Sequence, residues 1–133
     1  MARKQHYPDQ CLADILTNIE SARSFIGEMT REELHDDDKT LQAVLKRLEN
    51  ASEAYSRLCD SKHGAPEVAK AIEARHPGVP WRHFQSLANV YRHDYDLIDV
   101  DLVWKVLQPG GAATLVEAVI RRELPLSQIP PKP

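Results

Sequence analysis

Apolar residues recur at steps of three and four along most of this chain. Leu12, Ile15, Leu16, Ile19, Ala22 and Ile26 form the first such stripe, a spacing that lines one face of an α-helix. It predicts a helix from about Pro8, whose fixed φ and missing N–H suit a first helical position, to Gly27, which can end it. Leu41, Val44, Leu45, Leu48, Ala51, Tyr55, Leu58 and Cys59 keep the same period and predict a second long helix over about 38–61. Two long amphipathic helices with a short connection are expected to pack antiparallel. Between them, Thr30 and Glu33 have the spacing of a capping box, which predicts a short helical turn over 31–35. Asp36, Asp37 and Asp38 offer N-caps to the helix that follows.

Further on, His63-Gly64-Ala65-Pro66 interrupts the pattern. A third helix over about 66–75 carries Val68, Ala71 and Ile72. The run His76-Pro77-Gly78-Val79-Pro80 is a stop and restart. Pro80 then opens a fourth helix through about His93, with Phe84, Leu87, Ala88 and Tyr91 as its apolar face. Asp99 can cap a fifth helix bearing Leu102, Val103, Val106 and Leu107. Pro109-Gly110-Gly111 breaks it, and Leu115, Val116, Val119, Ile120 and Leu124 mark the last. No period-two alternation and no internal repeat occur. The expectation is an all-α protein, an up-down helical bundle of about five to six helices. Residues 1–124 would form a single domain and 125–133 a loosely held Pro-rich tail.

Charge narrows the picture. The formal net charge is −3 and the isoelectric point about 6.1. A general nucleic-acid coater is usually basic, so any RNA contact here must come from a few placed cations. Residues 28–39 hold six acidic against two basic side chains, and that stretch will not approach a phosphate backbone. No apolar run reaches the roughly 18 residues of a membrane span. The basic N-terminus lacks the apolar core of a secretory signal, so a soluble, cytoplasmic protein is expected. Cys11 and Cys59 each fall inside a helical pattern and read as reduced thiols rather than a disulfide. There is no Cys-x-x-Cys of a zinc ribbon or redox motif.

The densest polar cluster is Asn89-Val90-Tyr91-Arg92-His93-Asp94-Tyr95-Asp96. On a helix, Asn89, Arg92 and His93 share a face. Tyr95 joins them if the chain turns near 94–96. His can move a proton near neutral pH, and Arg presents a donor fork that fits phosphate oxygens. Such a set suits phosphodiester chemistry without a metal. A solvated ion-pair network is the other reading of the same residues, and the more common one for such a cluster.

Other candidates read more simply. His35 beside Asp36, Asp37 and Asp38 is better explained by capping than by a metal, because consecutive residues seldom converge on one ion. His6, His63, His76 and His83 lie in or beside turns and are expected to be solvated. Trp81 and Trp104 read as core or dimer contacts. Asp94, Asp96, Asp99 and Asp101 lack the glycine and terminal Glu of a calcium loop. No phosphate-gripping Gly loop or Ser–His–Asp arrangement stands out, and neither metal nor cofactor is expected.

Val79-Pro80-Trp81-Arg82, then Leu87-Ala88-Asn89-Val90-Tyr91-Arg92-His93-Asp94-Tyr95, then Ile98-Asp99 and Val103-Trp104 together resemble the HepT-like branch of the HEPN superfamily. With the helix order before them, the resemblance covers nearly the whole chain. It implies a small helical homodimer and a metal-independent endoribonuclease, the toxin of a bacterial type II toxin–antitoxin pair. It also implies an antitoxin, an MntA-like minimal nucleotidyltransferase, that silences the toxin by AMPylating the tyrosine of the His-x-Tyr motif, here Tyr95. Arg92 would contact phosphate, His93 would act as general acid/base, and Asn89 would orient. The substrate would be RNA, such as tRNA or mRNA. One position departs from the pattern. The usual motif has Arg directly before the Asn, and here that residue is Ala88. Arg92 can substitute, or Ala88 can mark a weak or inactive branch. The rival reading is a non-catalytic subunit that docks a nucleotidyltransferase and presents Tyr95 or binds nucleotide.

Overall fold

The computed structural model describes residues 2–93, 99–125 and 128–133, with side chains for 7–88 and for 99 onward within those ranges. Among the described residues there are seven helices and no strand. They are α1 (Ala2–Ile26), α2 (Arg31–Asp36), α3 (Asp38–Cys59), α4 (Pro66–Arg75), α5 (Trp81–His93), α6 (Val100–Val106) and α7 (Ala112–Glu123). The set is the expected all-α bundle, with the short turn after Thr30 standing as a helix of its own.

The long pair forms as the apolar stripes require. Arg57 of α3 meets Asp14 of α1 at 3.6 Å. Arg47 donates to Asn18 at 3.4 Å and lies over the Phe25 ring, 5.7 Å from its centroid. Late α3 therefore meets early α1, and the two run antiparallel. Ile15, Leu16, Ile19, Val44 and Leu48 are fully enclosed in the resulting core.

Several boundaries and faces differ from the sequence expectation. α1 continues through Pro8 rather than starting there; Pro8 forgoes one backbone bond, but its φ fits the helix. α7 begins at Ala112, directly after the Pro109-Gly110-Gly111 break, with Gly111 as its N-cap. A Cβ on Gly111 would overlap the Lys105 carbonyl oxygen, so glycine allows α7 to start directly against the end of α6. On α4 the buried small residue is Ala69, while Ala71 is exposed, and Leu102 on α6 is also exposed. Expected caps are present. Thr30 and Glu33 form a reciprocal capping box, Asp37 caps α3 by accepting from the Thr40 amide at 3.0 Å, and Asp99 caps α6. Gly27, at φ +54°, closes α1 with an N–H bond to the Arg23 carbonyl at 3.0 Å.

Polar pairs fasten α7 to the rest. Arg23 of α1 donates to Glu117 at 2.5 Å and to Thr114 at 3.1 Å, and Arg121 donates to Glu20. His76 is not solvated as expected. It is half-buried and its Nε2 lies 2.9 Å from Glu123. Hydrogen bonds from Arg75, then from His76, hold the Glu123 carboxyl below the usual carboxylate range. Trp81 is buried and Trp104 half-buried. Cys11 and Cys59 are free thiols. Beyond α7, Ile129 packs against the core. No helix among the described residues is long and apolar enough to cross a membrane.

Phe84 is fully buried at the α3–α5 contact. Phe84→Ala is expected to cost about 3–5 kcal/mol in urea unfolding. A loss below about 1 kcal/mol would mean that this contact is not part of the core.

Candidate functional site

The fourth predicted helix is α5, and it carries the sequence candidates. Its start is fixed by several bonds. The Pro80 carbonyl accepts from the Phe84 amide at 3.0 Å, the Trp81 amide donates to Val79 at 2.9 Å, and the Trp81 indole N–H donates to the His76 carbonyl at 3.0 Å. Phe84 and Leu87 are fully buried and Ala88 is 7% exposed. At 3.6 residues per turn, positions 82, 85, 89 and 93 then follow one another along a strip away from the 84–87–88 face.

α5 lies antiparallel on α3. Tyr55 stacks on Trp81 with centroids 5.4 Å apart and meets Phe84 edge-on at 6.1 Å. Three residues earlier, Ser52 is fully buried, and its hydroxyl donates to the Gln85 carbonyl at 2.8 Å. The same oxygen accepts from the Ala88 amide at 3.2 Å. The Tyr55 hydroxyl donates to Glu73 of α4, which also accepts from Arg82. Arg82 donates in turn to the Gln85 side chain at 2.5 Å. Burial, then the bond to Glu73, pushes the Tyr55 phenol far above its ordinary value, and burial pushes the Cys59 thiol up. Cys59, Pro66, Ala69, Lys70, Glu73 and Arg82 line a cleft of about 340 Å³ beside this cluster.

At the other end of the candidate motif, α6 is tied to α2. Arg31 donates to Asp101, and that bond holds the Asp101 carboxyl below its usual range. Val100, Val103 and Val106 are buried beneath. The acidic stretch expected to avoid phosphate thus includes the helix that anchors α6.

Of the sequence candidates, Ala88 is described directly, inward-facing and bonded through its amide to Ser52. Asn89, Arg92 and His93 lie on α5, with their side chains outside the described residues, and Tyr95 lies outside them altogether. His35 pairs with Asp36 at 3.1 Å. Among the described residues, no three His, Cys, Asp or Glu side chains converge as metal ligands would. Sequence reasoning missed Ser52, Glu73 and Arg82. Ser52 leaves one signal, a hydroxyl between Leu48 and Tyr55 on an otherwise apolar stripe.

Residues 15–121, which contain the whole of α5 and the Asn89–Tyr95 segment, match the family described as Ribonuclease HepT-like. The chain belongs to that family. It is 31% identical over 96 residues to a Methanocaldococcus jannaschii protein named as a candidate RNase, across 72% of this chain and 71% of the relative. It is 31% identical over 97 residues to a Thermococcus cleftensis protein named as a candidate ribonuclease HepT, across 73% of this chain and 79% of that one. No solved structure matches at a significant level.

The burial of Ala88 bears on the departure from the family motif. Ala88→Arg puts a long cation where the chain is packed against α3, and it is expected to lower stability by about 1–3 kcal/mol in thermal melts, without raising RNA cleavage. Unchanged melting with increased cleavage would assign the phosphate-contact role to position 88 and take it from Arg92.

Proposed function

We propose that this protein is a metal-independent endoribonuclease, the toxin of a type II toxin–antitoxin pair, acting as a homodimer. The observation that carries this reading is the family match running through α5, the helix that bears Asn89, Arg92 and His93 and leads to Tyr95. Both named relatives support ribonuclease chemistry in general.

In the proposed reaction, His93 takes the proton of a ribose 2′-hydroxyl as the 2′-oxygen bonds to the adjacent phosphorus. The bond from phosphorus to the 5′-oxygen breaks, and that oxygen leaves with a proton from a protonated imidazole. His93 of the second copy can supply it if the two active-site helices line a shared cleft. Arg92 pairs with the non-bridging oxygens as charge develops there, and Asn89 orients the phosphate. Control falls to Tyr95. Its phenol oxygen attacks the α-phosphorus of ATP on a minimal nucleotidyltransferase, pyrophosphate leaves, and AMP remains on the tyrosine. The attached phosphate competes for Arg92 and repels the RNA backbone.

A second reading draws on the inward-facing Ala88. Without the usual Arg, the chain would be a non-catalytic subunit that docks a nucleotidyltransferase and presents Tyr95.

Three measurements separate these readings. Light scattering at micromolar concentration is expected to give a dimer, and a monomer alone would contradict the shared cleft. His93→Ala is expected to lose about a hundred- to ten-thousand-fold in RNA cleavage, while chelators leave wild-type activity unchanged. Full activity in the variant, or loss with chelator, refutes the mechanism, and no cleavage by wild type favours the docking subunit. Incubation with a cognate minimal nucleotidyltransferase, ATP and magnesium is expected to add AMP at Tyr95 by peptide mass spectrometry, abolishing cleavage at constant melting temperature. Mass added only elsewhere removes Tyr95 as the control point.

A further inference from the structure

Helix interiors bond their own backbone, so a side chain from another helix that takes both a carbonyl and an amide of one turn is a specific device. Ser52 does this on α5. Its hydroxyl donates to the Gln85 carbonyl at 2.8 Å and accepts from the Ala88 amide at 3.2 Å. Both bonds fall in the turn directly before Asn89. Ser52 is fully buried in the face of α3 that Leu48, Ala51, Tyr55 and Leu58 otherwise make apolar. Alanine would fill that place at less desolvation cost, and the pair of bonds is what the hydroxyl contributes.

The bonds constrain a particular motion. Apolar packing of Phe84 and Leu87 keeps α5 close to α3 but is not directional, so it tolerates small rotations about the helix axis. Hydrogen bonds are directional. Pinning residues 85 and 88 to one oxygen fixes both rotation and axial position. Tyr55, Glu73 and Arg82 hold the preceding turn in the same way. α3 is itself seated on α1 along its length, so it acts as a fixed rail. The small side chain at position 88 is compatible with the close approach of Ser52 to the backbone.

We propose that Ser52 is a positioning residue, whose hydroxyl locks the 85–88 turn of α5 onto α3 and so sets the rotation of the next turn, which carries Asn89, Arg92 and His93. The consequence for RNA cleavage rests on the ribonuclease reading above; the locking of the helix does not.

The test compares wild type with Ser52→Ala, with Ser52→Thr, which keeps the hydroxyl, and with Ile19→Val. The last removes one buried methyl from α1, away from the Ser52 bonds to α5, and controls for lost stability. Amide hydrogen exchange is the first readout. Ser52→Ala is expected to speed exchange at residues 88–93 by roughly ten-fold or more relative to α1, with Ile19→Val showing no such local effect. Steady-state RNA cleavage is the second. In Ser52→Ala, kcat is expected to fall roughly ten- to a hundred-fold with KM little changed, because misplacement harms the reacting geometry more than binding, and Ser52→Thr restores most of it. Unaltered exchange at 88–93 in Ser52→Ala overturns the proposal whatever happens to cleavage. An equal kcat loss in Ile19→Val reduces Ser52 to a stability residue and also overturns it. If wild type cleaves no RNA, the ribonuclease reading fails, and the exchange result alone decides whether Ser52 locks the helix.

Discussion

The contact between α3 and α5 is the constraint on which the rest of this structure depends. Tyr55 supplies its centre, stacked on Trp81 and edge-on to Phe84. Aromatic pairs of this kind contribute about 0.5–1.5 kcal/mol each beyond the area they bury. A phenol taken from water without a partner would cost about 1–3 kcal/mol, and Glu73 removes that cost by accepting the hydroxyl. Glu73 accepts from Arg82 as well, so one carboxylate joins α3, α4 and α5. The apolar part of this contact sets the distance between the helices, and the polar part sets their rotation. The turn of α5 beyond Ala88 inherits both.

Charge complements this arrangement. The net charge is −3, and the acidic run at 28–39 is used locally, in the caps of α2 and α3 and in the Arg31–Asp101 bond. An RNA-binding surface on such a chain has to be confined. On the proposed reading α5 supplies the cations for it, with Arg82 and Arg92 on one helix. Arg82 is already engaged by Glu73, which leaves Arg92 as the α5 cation to which a phosphate role is assigned. The inward packing of Ala88 is consistent with that division, since a cation there would have to leave a buried position.

Much of the fold was legible because helical periodicity is a strong signal. Six apolar stripes mark six of the seven described helices, and the seventh, α2, together with the caps at Asp37 and Asp99, is readable from local capping chemistry. The misreadings have physical causes. The preference of proline for first turns predicts a start at Pro8, yet its φ also fits a helix already under way. Ala69 and Ala71 sit on opposite sides of a short helix, and alanine gives little hydropathic contrast to tell them apart. A position beside a turn predicts a solvated His76, but the chain returns with Glu123, forty-seven residues on, to meet it. Ser52 shows in the local pattern only as a hydroxyl on an apolar stripe and Glu73 not at all, because the partners of both are fixed by tertiary packing. Asn89, Arg92, His93 and Tyr95 stand out as a set through their spacing and the family resemblance.

The most direct test of this account is to map where RNA binds. Isotope-labelled protein titrated with a short RNA, made uncleavable by 2′-O-methyl groups, should show amide chemical-shift changes concentrated at residues 88–93 of α5, weakened by added salt as phosphate contacts require. Changes centred instead on the α1–α7 cleft lined by Glu20, Arg23 and Glu117, with α5 unaffected, would contradict the claim that α5 is the RNA-binding element.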